Sequence, residues 1–294
     1  MPTLRDIQKR LKAIKNTKKI TAAMKMVAAA KLRKVQDRML NFRPYAQRME
    51  SVLSNLAQSA EREMHPLLVM RPRKTVEVLV ITSDKGLCGA FNANILRAAH
   101  KHVVALQQEG FEVSMSVVGR KARDFFRRRN FTIRNTWIGI SGRVAYSDAQ
   151  EIAKDMIENY TNETVDEITV LFNEFKSLVS QKVTTTKLLP IGAIEKEEEG
   201  EKEAPSIMGG DYLYEPSRAG IFETLLPKYI EIQIFRALLE SSASEEAARM
   251  TAMENATKNC GELIDKVTLL ANKLRQAAIT KDLMDIVGGV EALK

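Results

Sequence analysis

Apolar residues recur every seven positions at both ends of this chain, and that repeat constrains the fold more than any other feature. One series runs Leu4, Leu11, Lys18, Lys25, Leu32, Met39, Ala46, Leu53, Ala60; a second runs Ile7, Ile14, Thr21, Ala28, Val35, Phe42, Met49, Leu56. Of these seventeen positions only Lys18, Thr21 and Lys25 are polar. A seam of this kind stays on one side of a slightly underwound helix, so it needs a second helix to cover it. The C-terminal third supplies one. Leu225, Ile232, Leu239, Met253, Cys260, Val267 and Leu274 share a seam broken by Glu246, and Tyr229, Ala243, Met250, Thr257, Ile264, Ala271 and Ala278 share its partner, broken by Arg236. Helices at opposite ends of a chain, with a globular insert between them, bury both seams most economically by running antiparallel.

Helix lengths follow from the repeat. Residues 4–60 would span roughly 85 Å and residues 211–287 roughly 115 Å at about 1.5 Å per residue. The C-terminal helix should therefore outrun its partner near residues 268–287. That tip carries Leu269, Leu270, Leu274, Ile279, Leu283, Met284, Ile286 and Val287, a surface too apolar to stand in water unsupported. Either it enters a socket on another protein or it folds back onto the body. Pro44 should bend the first helix or loosen the turn at residues 41–43. At Lys18, Thr21 and Lys25 the apolar set shifts off the seam to Ile20, Met24 and Val27. This is either a stutter in the coiled coil or a stretch sheathed by partners.

Charge is concentrated in the same segment. The first forty residues hold twelve Lys/Arg against Asp6 and Asp37, an excess of +10 in a chain of net +8. The longest stretch without a charged residue is Gly86–Leu96, far short of the ~18 residues a membrane-spanning helix needs. The opening turns carry charges where a signal peptide would be apolar. Two cysteines, Cys88 and Cys260, lie far apart in sequence, without neighbours at metal-ligand spacing, which argues against a zinc site or a disulfide framework and for a reducing compartment.

The middle of the chain changes period. Lys74–Thr82 reads as a buried strand, followed by the turn Ser83–Gly89 and a helix to Gln108. Then come a strand at 112–118, a helix at 120–129, a strand at 132–137, a helix at 147–160, a strand at 167–175 and a hairpin partner at 178–188. Alternating strands and helices predict a parallel sheet covered on its faces. The fold class is therefore α/β: a long antiparallel two-helix coiled coil, formed by the N- and C-terminal helices, with an inserted Rossmann-like parallel-sheet domain. The expected divisions are residues 1–60, 74–190, an acidic flexible loop at 191–210, and 211–294.

Chemistry is sparse. The turn SDKGLCGAFN occupies the place of a phosphate loop but has neither G-x-G-x-x-G nor G-x-x-x-x-G-K-[ST]. Its glycines suit a tight strand-to-helix turn, with Asn92 or Asn94 bonding backbone, and Lys85 is the residue there that could reach a partner. His65, His100 and His102 are not grouped with carboxylates, and the last two are expected on a helix surface. Neither G-x-S-x-G nor H-E-x-x-H occurs. Arg127–Arg129 reads as a solvated helix end, and Glu195–Ala204 as a charged loop that cannot bury itself.

Several segments resemble the gamma subunit of F-type, proton-translocating ATP synthases of the bacterial type. They are LRDIQKRLKAIKNTKKITAAMKMVAAAKLRKVQ at the start, SDKGLCGAFN, DYLYEPSRA, SEEAARMTAMENATKNCGELI, and NKLRQAAITKDLMDIVGG near the end. The resemblance implies a non-catalytic rotor shaft without cofactor or metal, seated in a hexamer of alpha and beta subunits, resting on the c-subunit ring and bound by an epsilon subunit. It implies a peripheral location on the cytoplasmic face of the bacterial membrane, without membrane insertion. It also implies beta-subunit contacts through Met24, Lys85, Arg275, Gln276 and Thr280, a bearing tip through Ile286 and Val287, and a c-ring foot at Asp211, Tyr212 and Glu215. The regulatory cysteine pair of the chloroplast form has no counterpart. The rival reading is a basic coiled coil that binds nucleic acid; against it, the heptads run through the basic segment and no aromatic residue precedes Phe42. An enzyme built on the Rossmann-like insert lacks a catalytic set.

Overall fold

The computed structural model describes residues 3–58, 65–178, 180–191 and 218–291. Helix α1 spans Leu4–Gln58 and α5 spans Arg218–Glu291. Between them lie a 3-10 turn at Pro66–Leu68, β1 (Thr75–Ile81), α2 (Phe91–Gln108), β2 (Glu112–Val118), α3 (Arg120–Arg127), β3 (Ile133–Trp137), α4 (Tyr146–Thr161), β4 (Glu167–Phe175) and β5 (Gln181–Leu189). Their contacts form two compact units, Lys31–Ala248 and Met1–Ala30 with Arg249–Lys294.

In the larger unit the strand order is β3-β2-β1-β4-β5, with only β5 antiparallel to its neighbour. From Val76 to Ile81 central strand β1 is buried on both faces and is apolar except for Glu77, as a parallel strand between two helical layers must be. Its period of two divides the core. Val76, Val78 and Val80 join Ile95, Ala99 and Val103 of α2 and Ala122 and Phe126 of α3. Leu79 and Ile81 face the other way, in a core with Ile152, Met156 and Tyr160 of α4, Leu32, Val35 and Leu53 of α1, and Ile230, Ile234 and Leu238 of α5. Fully burying each such aliphatic side chain contributes about 1.5–3 kcal/mol.

The terminal helices run antiparallel within this unit: Lys31 faces Glu246 at 3.6 Å, and Phe42 meets Phe235 edge-on at 4.8 Å between ring centres. In the smaller unit they do the same. Lys25 Nζ lies 2.6 Å from Glu254, and the hydroxyls of Thr21 and Thr257 are 2.8 Å apart. Helix α1 continues through Pro44 and α5 through Pro227.

Two polar features sit inside the α/β layers. Glu77 is fully buried and accepts from Ser116 Oγ (2.5 Å), Arg134 Nε (2.8 Å) and Asn159 Nδ2. Arg134 also pairs with Asp155, so a single guanidinium ties β1, β3 and α4 together. His100 and His102 are half-buried instead of lying on the α2 surface as expected. His100 packs edge-on to Phe125 and Phe131. Burial holds the His102 imidazole below its ordinary pKa, against the opposing pull of Glu167 and Glu109.

Glu77→Ala should cost about 3 kcal/mol of unfolding free energy, because it leaves a partly buried arginine and two amide or hydroxyl donors short of their acceptor; urea titration measures this. The neutral form of His102 is favoured by folding, so its contribution is complete above the unfolded value near 6.5 and is lost as pH falls through the depressed folded value. The stability lost between pH 7.5 and 5.5 should accordingly be smaller for His102→Gln than for the unaltered chain.

Candidate functional site

The turn after β1 is held by its own side chains. Asn92 Oδ1 accepts from the Ser83 backbone amide (3.2 Å), and Ser83 Oγ donates to the Lys85 carbonyl (2.6 Å). Asp84 accepts from the amides of Arg120 (3.1 Å) and Gly139 (2.9 Å), joining three loops at the carboxyl ends of β1, β2 and β3. Leu87 and Gly89 take positive φ, 63° and 56°. The Lys85 side chain is exposed.

In an open sheet with this strand order, small ligands bind beyond the carboxyl ends of the two strands where the order reverses, here β1 and β4. That crevice is filled from within the chain. Ser244 of α5 is fully buried and donates to the Asn173 carbonyl of β4 (3.0 Å), while Ser141 Oγ donates to Glu245 (2.6 Å). A residual space of about 10 Å³ remains among Thr82, Ser141, Ser241, Ser242, Glu245 and their apolar neighbours, about the minimum for one water. That space is too small for a nucleotide. Among the described residues no three His, Cys, Asp or Glu side chains gather at metal-binding distance.

The terminal helices carry the remaining candidates. In the smaller unit, the polar break at Lys18, Thr21 and Lys25 is answered from α5. Thr21 meets Thr257 and Lys25 meets Glu254, and Lys18 Nζ approaches the position where a Cβ on Gly261 would lie (3.4 Å). Ile20 and Val27 are nevertheless exposed, 59% and 56%, and Met24 is half-buried beside them. Arg275, Gln276 and Thr280 lie exposed on α5, where the Thr280 hydroxyl donates to the Gln276 carbonyl (3.0 Å). Leu269, Ile279, Leu283, Met284, Ile286 and Val287 are all more than half exposed, Ile286 at 66%. Asp211, Tyr212 and Glu215 lie outside the described residues, as does the acidic segment 195–204.

A basic cleft of about 290 Å³ was not legible as a unit. Lys31, Lys34 and Arg38 of α1 line it with Arg143, Ser242 and Glu246. Their identities were visible in the sequence, but only the tertiary fold places Arg143 beside three cations that are far from it in sequence. Its loop holds Gly139 and Gly142 at positive φ, the sole local hint. The cleft can attract an anionic group.

A family model described as ATP synthase matches residues 3–293. The chain is 46% identical to the ATP synthase gamma chain of Pelotomaculum thermopropionicum over 294 residues, covering all of both. It is 47% identical to those of an Anaeromyxobacter species and of Heliobacterium modesticaldum, again over the full length of each. The chain belongs to the ATP synthase gamma-chain family. It is also similar to a chain in the central stalk and c-ring structure of Tetrahymena thermophila mitochondrial ATP synthase, at 29% identity and a TM-score of 0.59, over 81% of this chain and 99% of that one. A chain of the Euglena gracilis mitochondrial enzyme matches at a TM-score of 0.67 over 99% of this chain and 94% of that one; at 21% identity it speaks for the fold alone. Membership of the gamma-chain family makes the chain a component of an ATP synthase complex.

The Lys25–Glu254 pair is 39% and 56% exposed, so water screens it well. Lys25→Ala should change unfolding free energy by less than about 1 kcal/mol, and the difference should shrink further in 0.5 M salt, read by thermal melts at both ionic strengths.

Proposed function

We propose that this chain is the central rotor shaft of an F-type ATP synthase, coupling proton-driven rotation of the c-subunit ring to the conformational cycle of catalytic beta subunits, and running in reverse during hydrolysis. The observation that carries this reading is the exposed apolar end of α5. A helix with Leu283, Met284, Ile286 and Val287 open to solvent has a surface that calls for a protein socket, and full-length gamma-chain kinship names the assembly that would provide one. On this reading residues 1–60 and 211–294 form the shaft, 74–190 the body, and the chain catalyses nothing itself.

The partners would be the alpha and beta subunits, the epsilon subunit and the c-ring. Met24, Lys85, Arg275, Gln276 and Thr280 would meet beta subunits. Ile286 and Val287 would turn in the bearing, and Asp211, Tyr212 and Glu215 would rest on the ring. Exposure of Lys85, Arg275, Gln276, Thr280, Ile286 and Val287 is what such roles need. The basic face of α1 would help assembly by attracting acidic loops. The complex would sit peripherally on the cytoplasmic face of the bacterial membrane; no helix among the described residues is long and apolar enough to cross one. The nucleic-acid alternative is not supported by the full-length gamma-chain kinship, and two cations of the basic segment, Lys25 and Lys31, already face Glu254 and Glu246.

Co-expression with alpha and beta subunits should yield an ATPase complex that requires this chain; a chain that never co-purifies with them defeats the proposal. Within that complex, Arg275→Ala combined with Gln276→Ala should lower ATP turnover about 3- to 10-fold, equivalent to about 1 kcal/mol of barrier, with assembly intact on size-exclusion chromatography. Unchanged turnover removes these residues from the beta contact.

A further inference from the structure

We infer that Ser141, Asn173, Ser244 and Glu245 form a grip that fixes the register of α5 on the sheet, making them positioning residues for torque transfer; this rests on the rotor reading. Ser241, Ser242, Ser244, Glu245 and Glu246 are all at most 4% exposed. Six consecutive helical residues go around the axis more than once, so at this turn α5 is buried on every side. A helix buried all round is ordinarily apolar. Here it is polar, and apolar burial does not account for its place.

What the polar side chains supply is direction. Ser244 donates to the carbonyl of Asn173 at the end of β4, and Glu245 accepts from Ser141 in the loop beyond β3. Glu246 reaches Lys31 of α1. Apolar ridges can slip past one another by a helical turn with their contacts re-formed. A buried carboxylate moved off its donor has nothing equivalent to take its place. Well-packed apolar residues would serve stability equally well, and the best-attested use of such buried polar pairs is to set registry. Two anchors, one on β4 and one in the loop that follows β3, lie on opposite sides of β1 in the sheet order and oppose both sliding and rolling of α5. The crevice that a doubly wound sheet offers to a ligand is used to hold the chain's own helix.

The test uses the assembled complex reconstituted in vesicles, reading protons pumped per ATP hydrolysed. Ser141→Ala and Glu245→Gln should each lower that ratio by about half or more per assembled complex, and Ser141→Thr, which keeps the hydroxyl, should restore it. A disulfide between cysteines at positions 141 and 245 should preserve coupling, since the grip has only to stay shut. An unchanged ratio in both Ser141→Ala and Glu245→Gln overturns the inference, as does a disulfide pair whose coupling stops on oxidation and returns on reduction. The disulfide arm decides the matter even where the single variants assemble poorly. Failure of the unaltered chain to assemble would instead defeat the rotor reading, so the two failures are distinguishable.

Discussion

Covering an apolar helical seam is the constraint on which everything else here depends. Neither α1 nor α5 can keep its heptad face in water, and each is the other's cover. Pairing puts Leu32, Val35 and Leu53 of α1 into one core with Ile230, Ile234 and Leu238 of α5. It also brings Thr21 to Thr257 and Lys25 to Glu254 in the smaller unit. A seam with polar positions is weaker as an apolar contact but more particular about its partner, because each polar group must find its match. The stutter recognisable at Lys18–Lys25 is thus partly internal pairing. It still leaves Ile20 and Val27 without cover.

The α/β unit shows the same economy. Its sheet has the strand order of a ligand-binding domain, and its first turn occupies the place of a phosphate loop. The loop is tied up by Ser83, Asp84 and Asn92, and the crevice is taken by Ser244 and Glu245. An architecture associated with nucleotides serves here to seat a helix. The fold alone would have suggested a ligand site; the residues there bind a helix of the same chain.

Much of the fold was legible in local pattern. Strands 112–118 and 167–175 and the helix ending at Gln108 stand where periodicity puts them, because a strand buried on both faces and an amphipathic helix leave different spacings. The antiparallel edge strand was readable as a hairpin partner. Local pattern failed where burial comes from a distant segment. His100 and His102 look solvent-facing by spacing alone, yet both are half-buried, His100 edge-on to the phenylalanines at 125 and 131. Glu246 reads as a polar break in the seam, and nothing adjacent in sequence indicates that Ser241–Glu246 is buried. Arg143 joins Lys31, Lys34 and Arg38 only through the fold.

The sequence by itself determined the two seams, their antiparallel pairing, the alternation that builds a parallel sheet, and the apolar end of the last helix. All of these depend on periodicity and on the cost of leaving apolar surface wet, which are local or nearly so. Only the tertiary structure decided that the ligand crevice is filled by α5, that Glu77 holds β1, β3 and α4 together through Arg134, and that Arg143 and Ser242 share one cleft with the three cations of α1. Those outcomes are meetings of polar groups from distant segments. A polar group's partner is set by where the chain brings it, and no spacing along the sequence encodes that.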